Sequence, residues 1–362
     1  MIIIITDGVF NNGFTQFSEK LLITAKEIGE EADLYTPIGS YDKRDCNNHS
    51  IHFFDLSGSY WARKRKAKKL AADLSKLTNV DAVIFSDDYL YDCLIGIKIR
   101  LPNIAFFIHD PVPHSHTFSL SYKAKIFLQE RNRKKIFKKA KRLILLSHNS
   151  ENQFFERYPA FPKQKTFFFP LGPHVPDAIP KKPGEIGEDN ENYILFFGNI
   201  LKYKNHSWFI SHFSNIKTKL IIAGSGTLDP KSREIIAKNP HIILINRFIP
   251  NEEMIYLFSS SHCKGNLLPY LDATQSGVLV LGYSFGVPCI VSSTPGLAEF
   301  VIEGKTGFIC RNESDYSAAI SKVVAGDYSA ACKEYVENYL SYKKNLTKLL
   351  SSLREKEPNA KY

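Results

Sequence analysis

Residues 269–292 read Pro-Tyr-Leu-Asp-Ala-Thr-Gln-Ser-Gly-Val-Leu-Val-Leu-Gly-Tyr-Ser-Phe-Gly-Val-Pro-Cys-Ile-Val-Ser. A polar loop closes on Ser276-Gly277, an apolar stretch of helical length follows, Gly286 stops it, and a β-branched strand opens after Pro288. Two glycine-bearing segments come next, Gly296-Leu297-Ala298-Glu299-Phe300 and Gly304-Lys305-Thr306-Gly307-Phe308. A helix that starts at the end of a loop leaves its first N–H groups unpaired and partly positive. Ser276 and Gly277 are therefore candidates to receive a phosphate-bearing ligand.

The same strand–turn–helix grammar extends upstream. Tyr193–Phe197 reads as a buried strand and runs into Gly198-Asn199-Ile200-Leu201-Lys202-Tyr203-Lys204-Asn205. A lysine just past a glycine turn at a strand end suits a diphosphate, which singles out Gly198 and Lys204. Leu220–Ala223, Ile242–Ile245 and Pro288–Val291 read as further strands, with helical patterns at Asn251–Ser259 and Gly277–Tyr283. In the N-terminal half, Ile2–Thr6 leads through Asn11-Asn12-Gly13 into a helical pattern carried by Phe17, Leu21, Leu22 and Ala25, the opening of a βαβ unit. Ala82–Ser86, Ile104–Ile108 and Leu143–Ser147 continue the series. Strands alternating with helices imply parallel sheets covered on both faces.

Between the halves, residues 175–192 (VPDAIPKKPGEIGEDNEN) are rich in proline, glycine and charge and read as a linker. At 362 residues the chain exceeds what one core organises. The expected division is a first domain over 1–175, a linker over 176–192, a second domain over 193–334, and a helical tail over 335–362 packing back on the first. Open α/β sheets bind ligands beyond the carboxyl ends of their strands. Ile108-His109-Asp110-Pro111-Val112-Pro113-His114-Ser115 occupies that position after a strand. It marks His109, Asp110 and His114 as candidate site residues. Gly13 is a candidate for close backbone approach to an anion.

These motifs resemble the retaining glycosyltransferase family 4, of the GT-B fold. The helix–Gly-x-Pro–strand unit over Tyr283–Ser292, the elements Gly296, Glu299 and Gly304–Phe308, and the Gly198-to-Lys204 turn carry the resemblance. The His-Asp-Pro-x-Pro-His segment is similar to an acceptor-side loop of some members. It implies an α/β, GT-B chain with two Rossmann-like doubly wound domains facing a central cleft. The implied donor is a nucleotide diphosphate sugar on the second domain, bound by Gly13, Gly198, Asn199, Gln275, Ser276, Gly277 and Glu299, with Lys204 and His109 at the reacting group. Retention without a metal or other cofactor is also implied. The chain departs from the family where two glutamates usually stand, at Ala273 and Leu281, and where an arginine follows the glycine, at Asn199. The Gln275-Ser276-Gly277 loop is similar to a variant in one sub-branch.

The net charge is +10, with 44% hydrophobic and 23% charged residues, an ordinary globular balance with a basic excess. Much of the excess lies in Trp61–Lys69 and in a segment from Lys123 to Arg142, where Leu128, Ile136, Ala140 and Leu143 recur at near-helical spacing. A basic amphipathic helix suits an anionic membrane surface. No nucleic-acid module is recognisable, so nucleic acid is not an expected partner. The six cysteines have no C-x-x-C spacing, and no metal site is expected. The opening Met-Ile-Ile-Ile-Ile-Thr-Asp-Gly lacks a basic n-region, and no apolar run reaches the length of a membrane span. The expectation is a cytoplasmic hexosyltransferase, peripheral on the inner face of the cytoplasmic membrane, extending a carbohydrate acceptor carried on lipid during surface polysaccharide assembly. A non-catalytic GT-B binding subunit and a GT-B sugar-nucleotide epimerase are the alternatives.

Overall fold

The computed structural model describes residues 1–6, 13–39, 49–109, 111, 120–187 and 191–355, without the side chains of 13, 14 and 120–126. Asp110 and His114 lie outside the described residues. The chain forms two compact units, one of residues 1–170 with 342–362, the other of residues 171–341.

The first unit is built on seven parallel strands: β1 (Ile2–Ile5), β2 (Ala32–Pro37), β3 (Ile51–Phe54), β4 (Ala82–Phe85), β5 (Ile104–Ile108), β6 (Arg142–Leu145) and β7 (Thr166–Phe168), in the order β3-β2-β1-β4-β5-β6-β7. β1, β4 and β5 are buried at every residue. This is why they read as unbroken apolar runs rather than alternating ones. One sheet face packs the helices Tyr60–Leu74, Leu90–Lys98 and Leu120–Lys139 through Ala67, Ala71, Cys93, Ile95 and Ile136. The helix Gly13–Glu27 packs against the helix Tyr342–Arg354, which buries Leu346, Leu349, Leu350 and Leu353.

The second unit has six parallel strands: β8 (Tyr193–Phe197), β9 (Lys219–Ala223), β10 (Ile242–Ile245), β11 (Cys263–Leu268), β12 (Cys289–Ser292) and β13 (Gly307–Cys310), ordered β10-β9-β8-β11-β12-β13. In each sheet the order reverses beside the first strand, between β1 and β4 and between β8 and β11. That reversal opens the crevice where such sheets take ligands.

Residues 176–187, expected as a linker or exposed loop, lie along the second unit. Ile186 is in its core, Lys181 N donates to Glu252 O at 3.0 Å, and Arg247 forks onto Glu185. The basic stretch ending at Arg142 is also partly internal. Arg133 is only 4% exposed and pairs with both oxygens of Asp88. Lys139 donates to Gly96 O, Ile97 O and Ile99 O, at the end of the helix Leu90–Lys98. Lys141 donates to Leu353 O and Glu355 O, and Arg142 to Ser352 O, at the end of the helix Tyr342–Arg354. Cations at helix C-termini satisfy carbonyls that the helix leaves unpaired. Arg131, Lys134, Lys135 and Lys138 remain exposed on that helix. The described cysteines are free and buried.

Candidate functional site

In the second unit three pieces of chain meet beyond the β8 and β11 ends. The first is the turn after β8. Gly198 has φ +101°, a conformation side chains rarely adopt, and Lys204 Nζ lies 2.5 Å from where its Cβ would stand. Val278 Cγ2, on the third piece, lies 3.6 Å from that same point. The turn is held to the end of β9 by Gly198 N on Ala223 O and Ile200 N on Ser225 O, both at 2.8 Å. Asn199 accepts from the Ser225 hydroxyl at 3.2 Å, which gives it a part in tying these loops.

The second piece carries the lysine. A 3₁₀ turn, Lys202–Lys204, turns Lys204 inward, and Asn205 in the left-handed conformation starts the next helix, His206–His212. Lys204 is 6% exposed, and among the described residues no group accepts a hydrogen bond from its ammonium. Burial alone lowers its pKa to about 8. The nearest favourable partner is the Tyr270 ring, 5.4 Å from Nζ to the centroid. His206 stacks on Phe196 at 3.8 Å. Burial first, then the charge of Lys204, push its imidazole down to about 3, so it is neutral.

The third piece is the loop from β11 to the helix Gly277–Ser284. Ser276 Oγ caps this helix through Leu279 N at 3.4 Å. Gly277 and Val278 lead the helix, where backbone N–H groups have no intrahelical acceptor. Gln275 Oε1 accepts from Leu171 N at 3.1 Å, while its amide nitrogen has no partner among the described residues. The loop is fixed from outside: Ser292 and Thr294 hydroxyls both donate to Tyr270 O, at 2.6 and 2.7 Å. Gly296 is pressed so close that a Cβ would strike Ala273 O and Thr274 O. Lys204, Gly198 and the Gly277 helix start are thus brought together.

Glu299 caps the short helix Pro295–Ala298, and its charge raises the Tyr335 and Tyr339 hydroxyl pKa values after burial has done so. Thr306, in the second glycine segment, has a structural part. It accepts from Ile302 N and from the hydroxyl of fully buried Tyr283. Ala273 and Leu281 are each 8% exposed and belong to core clusters, so apolar packing fills both glutamate positions.

In the first unit the candidates gather at the β1/β4 reversal. His109 Nε2 lies 2.8 Å from Ser86 O, a carbonyl that can only accept, so Nε2 carries the proton. Phe17 meets the imidazole edge-on at 5.5 Å, and Ser18 Oγ donates to Ser86 Oγ at 2.7 Å. Both lie in the opening turns of the helix that Gly13 begins, so this helix start and His109 share one sheet edge. Asp88, also at that edge, is consumed by Arg133. The reading by chain position passed over Tyr270 and His206. Tyr270 follows a proline inside the quoted loop, and only the folded chain sets its ring against Lys204.

Residues 191–326 match the family model described as Glycosyl transferases group 1. No curated protein matches the chain in sequence. Among solved structures, sucrose-phosphate synthase from Thermosynechococcus elongatus superposes with a TM-score of 0.69 at 15% identity, covering 98% of each chain. Anabaena HepE in complex with UDP gives 0.70 at 13%, covering 97% of this chain and 99% of that one. The lipopolysaccharide outer core galactosyltransferase WaaB gives 0.67 at 17%, covering 97% and 99%. The fold is GT-B, and the family match lies within the second unit.

Proposed function

We propose that this GT-B chain, whose residues 191–326 match the group 1 glycosyltransferases, moves a hexosyl group from a nucleotide diphosphate sugar to a carbohydrate hydroxyl, with retention and without a metal. The observation that carries the reading is Lys204: a buried lysine with no counter-anion among the described residues, set against a glycine turn and a capped helix start. A diphosphate supplies the missing charge. As the bond between sugar and phosphate breaks, negative charge grows on the leaving nucleoside diphosphate, where Lys204 and the Gly277 and Val278 amides stabilise it. HepE, solved with UDP and with UDP-glucose, supports a nucleotide-sugar donor. Gln275 offers an unpaired amide to the donor.

The acceptor in this reading is a glycan carried on lipid, in surface polysaccharide assembly, a setting WaaB supports. The helices Tyr60–Leu74 and Leu120–Lys139 both pack on Leu90–Lys98 and carry exposed lysines and arginines. Trp61 and Phe127 on them are 71% and 69% exposed. This face suits an anionic bilayer, with aromatic rings entering the interface. No helix among the described residues is long and apolar enough to cross a membrane. The buried apolar groups at Ala273 and Leu281 favour one second reading, a GT-B subunit that binds without catalysis.

The test is nucleoside diphosphate release from UDP-, GDP-, ADP- and dTDP-sugars in EDTA, with and without a lipid-linked glycan extract, beside Lys204→Ala. Acceptor-dependent release from one donor, lost in the variant, is the expected result. Donor binding without release from any of them gives the second reading. Sedimentation with phosphatidylglycerol but not phosphatidylcholine vesicles tests the membrane face.

A further inference from the structure

We propose that Tyr270 is a positioning residue for Lys204: its ring takes the place of a carboxylate, holding the ammonium charged and aimed without neutralising it. The inference rests on the donor reading only for what Lys204 meets. The ring–ammonium coupling is a property of the free protein.

A buried lysine normally finds a carboxylate or loses its proton. Lys204 has neither an acceptor nor a carboxylate partner among the described residues. The groups around it are aromatic or neutral: Tyr270, Tyr203, which meets Tyr270 edge-on at 5.7 Å, and His206. Among the described residues no acid acts on Lys204, and Asp272 acts on its neighbour Tyr203. An aromatic face attracts a cation through its quadrupole but carries no net charge. The ammonium therefore stays protonated near neutral pH and keeps its full attraction for an arriving phosphate. A carboxylate in the same place would hold the lysine and compete with the ligand.

The ring is built to stay. Tyr270 is 3% exposed, its carbonyl is doubly held by Ser292 and Thr294, and Leu271 N donates to Tyr203 O at 2.7 Å. Among the described residues Ser276 alone acts on its hydroxyl, without a well-formed hydrogen bond, so the residue is fixed chiefly through its backbone. The ring face is what the site uses, and Phe substitutes for Tyr.

The test compares Tyr270→Phe and Tyr270→Leu with the unmodified chain. Tyr270→Met is the substitute if the leucine variant does not fold, judged by circular dichroism and melting. Lys204 titration is followed by NMR of 13Cε-labelled lysine in the ligand-free protein, its resonance identified by loss in Lys204→Arg. UDP and GDP affinities are measured by calorimetry. The expected result is a lower Lys204 midpoint in Tyr270→Leu only, and about tenfold weaker nucleotide binding there, with Tyr270→Phe within about twofold of the parent. An unchanged midpoint in a folded Tyr270→Leu, or a Phe variant as impaired as the Leu variant, overturns the proposal. If no form binds UDP or GDP while the midpoint moves as expected, the coupling stands and the donor reading falls.

Discussion

Lys204 and His206 sit two residues apart, and burial disfavours the charged form of each, which gives each a pH signature. With a folded pKa of about 8, the Lys204 ammonium is present below that pH and lost above it. UDP affinity is expected to hold near neutrality and fall as pH rises through about 8, in calorimetry across pH 6.5–9.5. Lys204→Ala is expected to lower turnover by roughly 10²–10³-fold, the usual loss when a donor to a developing anion is removed. His206 has its folded pKa depressed to about 3 from 6.5, so between those values the unfolded chain binds the extra proton. Stability therefore drops as pH falls through that window, with a slope of about 1.4 kcal/mol per pH unit from this one group. Urea unfolding at pH 7 and pH 4.5 should show a smaller acid loss in His206→Gln than in the parent. The lysine is legible in the sequence because it follows a glycine turn at a strand end. The aromatic faces that serve it are not, because Phe196, Tyr203 and Tyr270 look like ordinary core residues until a sheet brings three segments together.

The strands read most easily are those buried on both sides, such as Ile104–Ile108 and Tyr193–Phe197, whose apolar runs need no partner to be recognised. Cys263–Leu268 escapes that reading because Lys264, Gly265 and Asn266 interrupt it. Folded, Asn266 is fully buried and donates to Val278 O at 2.8 Å, so a polar residue inside a strand becomes a brace for the helix Gly277–Ser284. The helix Leu120–Lys139 shows the opposite error. Its sequence is a run of positive charge, yet Arg133 is an anchor, paired with Asp88 and Glu130, while Glu130 also accepts from Tyr158 at 2.7 Å. Burial works against the Arg133 charge, but the Asp88 and Glu130 carboxylates outweigh it and hold its pKa raised. Asp88→Asn leaves a buried guanidinium short of its counter-ion and is expected to cost about 3–5 kcal/mol in urea unfolding. Lys134→Ala and Lys138→Ala, on the exposed face, are expected to change stability by less than about 0.5 kcal/mol while weakening binding to anionic vesicles.

On the scale of the chain, the alternation of strands and helices and a proline-rich break make two α/β units legible from the sequence. The last forty residues read as helix-like, with the returning tail expected from 335, and no residue type marks the crossing itself. The structure divides that stretch into Ser329–Asn338, within the second unit, and Tyr342–Arg354, within the first. The second helix is held by charge as well as by leucines: Arg354 bonds Glu30 twice at 2.7 Å and Asp81 at 2.6 Å. Removing residues 342–362 should therefore loosen the first unit and spare the second. Amide exchange should rise across Gly13–Glu27 while β8–β13 stay protected. The same return has a consequence for synthesis. A ribosome delivers β1–β7 long before the helix that covers Gly13–Glu27, whereas the second unit needs nothing that comes after residue 341. The unit encoded later is thus the one able to finish folding first, and the earlier one waits with an apolar helix face open until its last segment clears the exit tunnel.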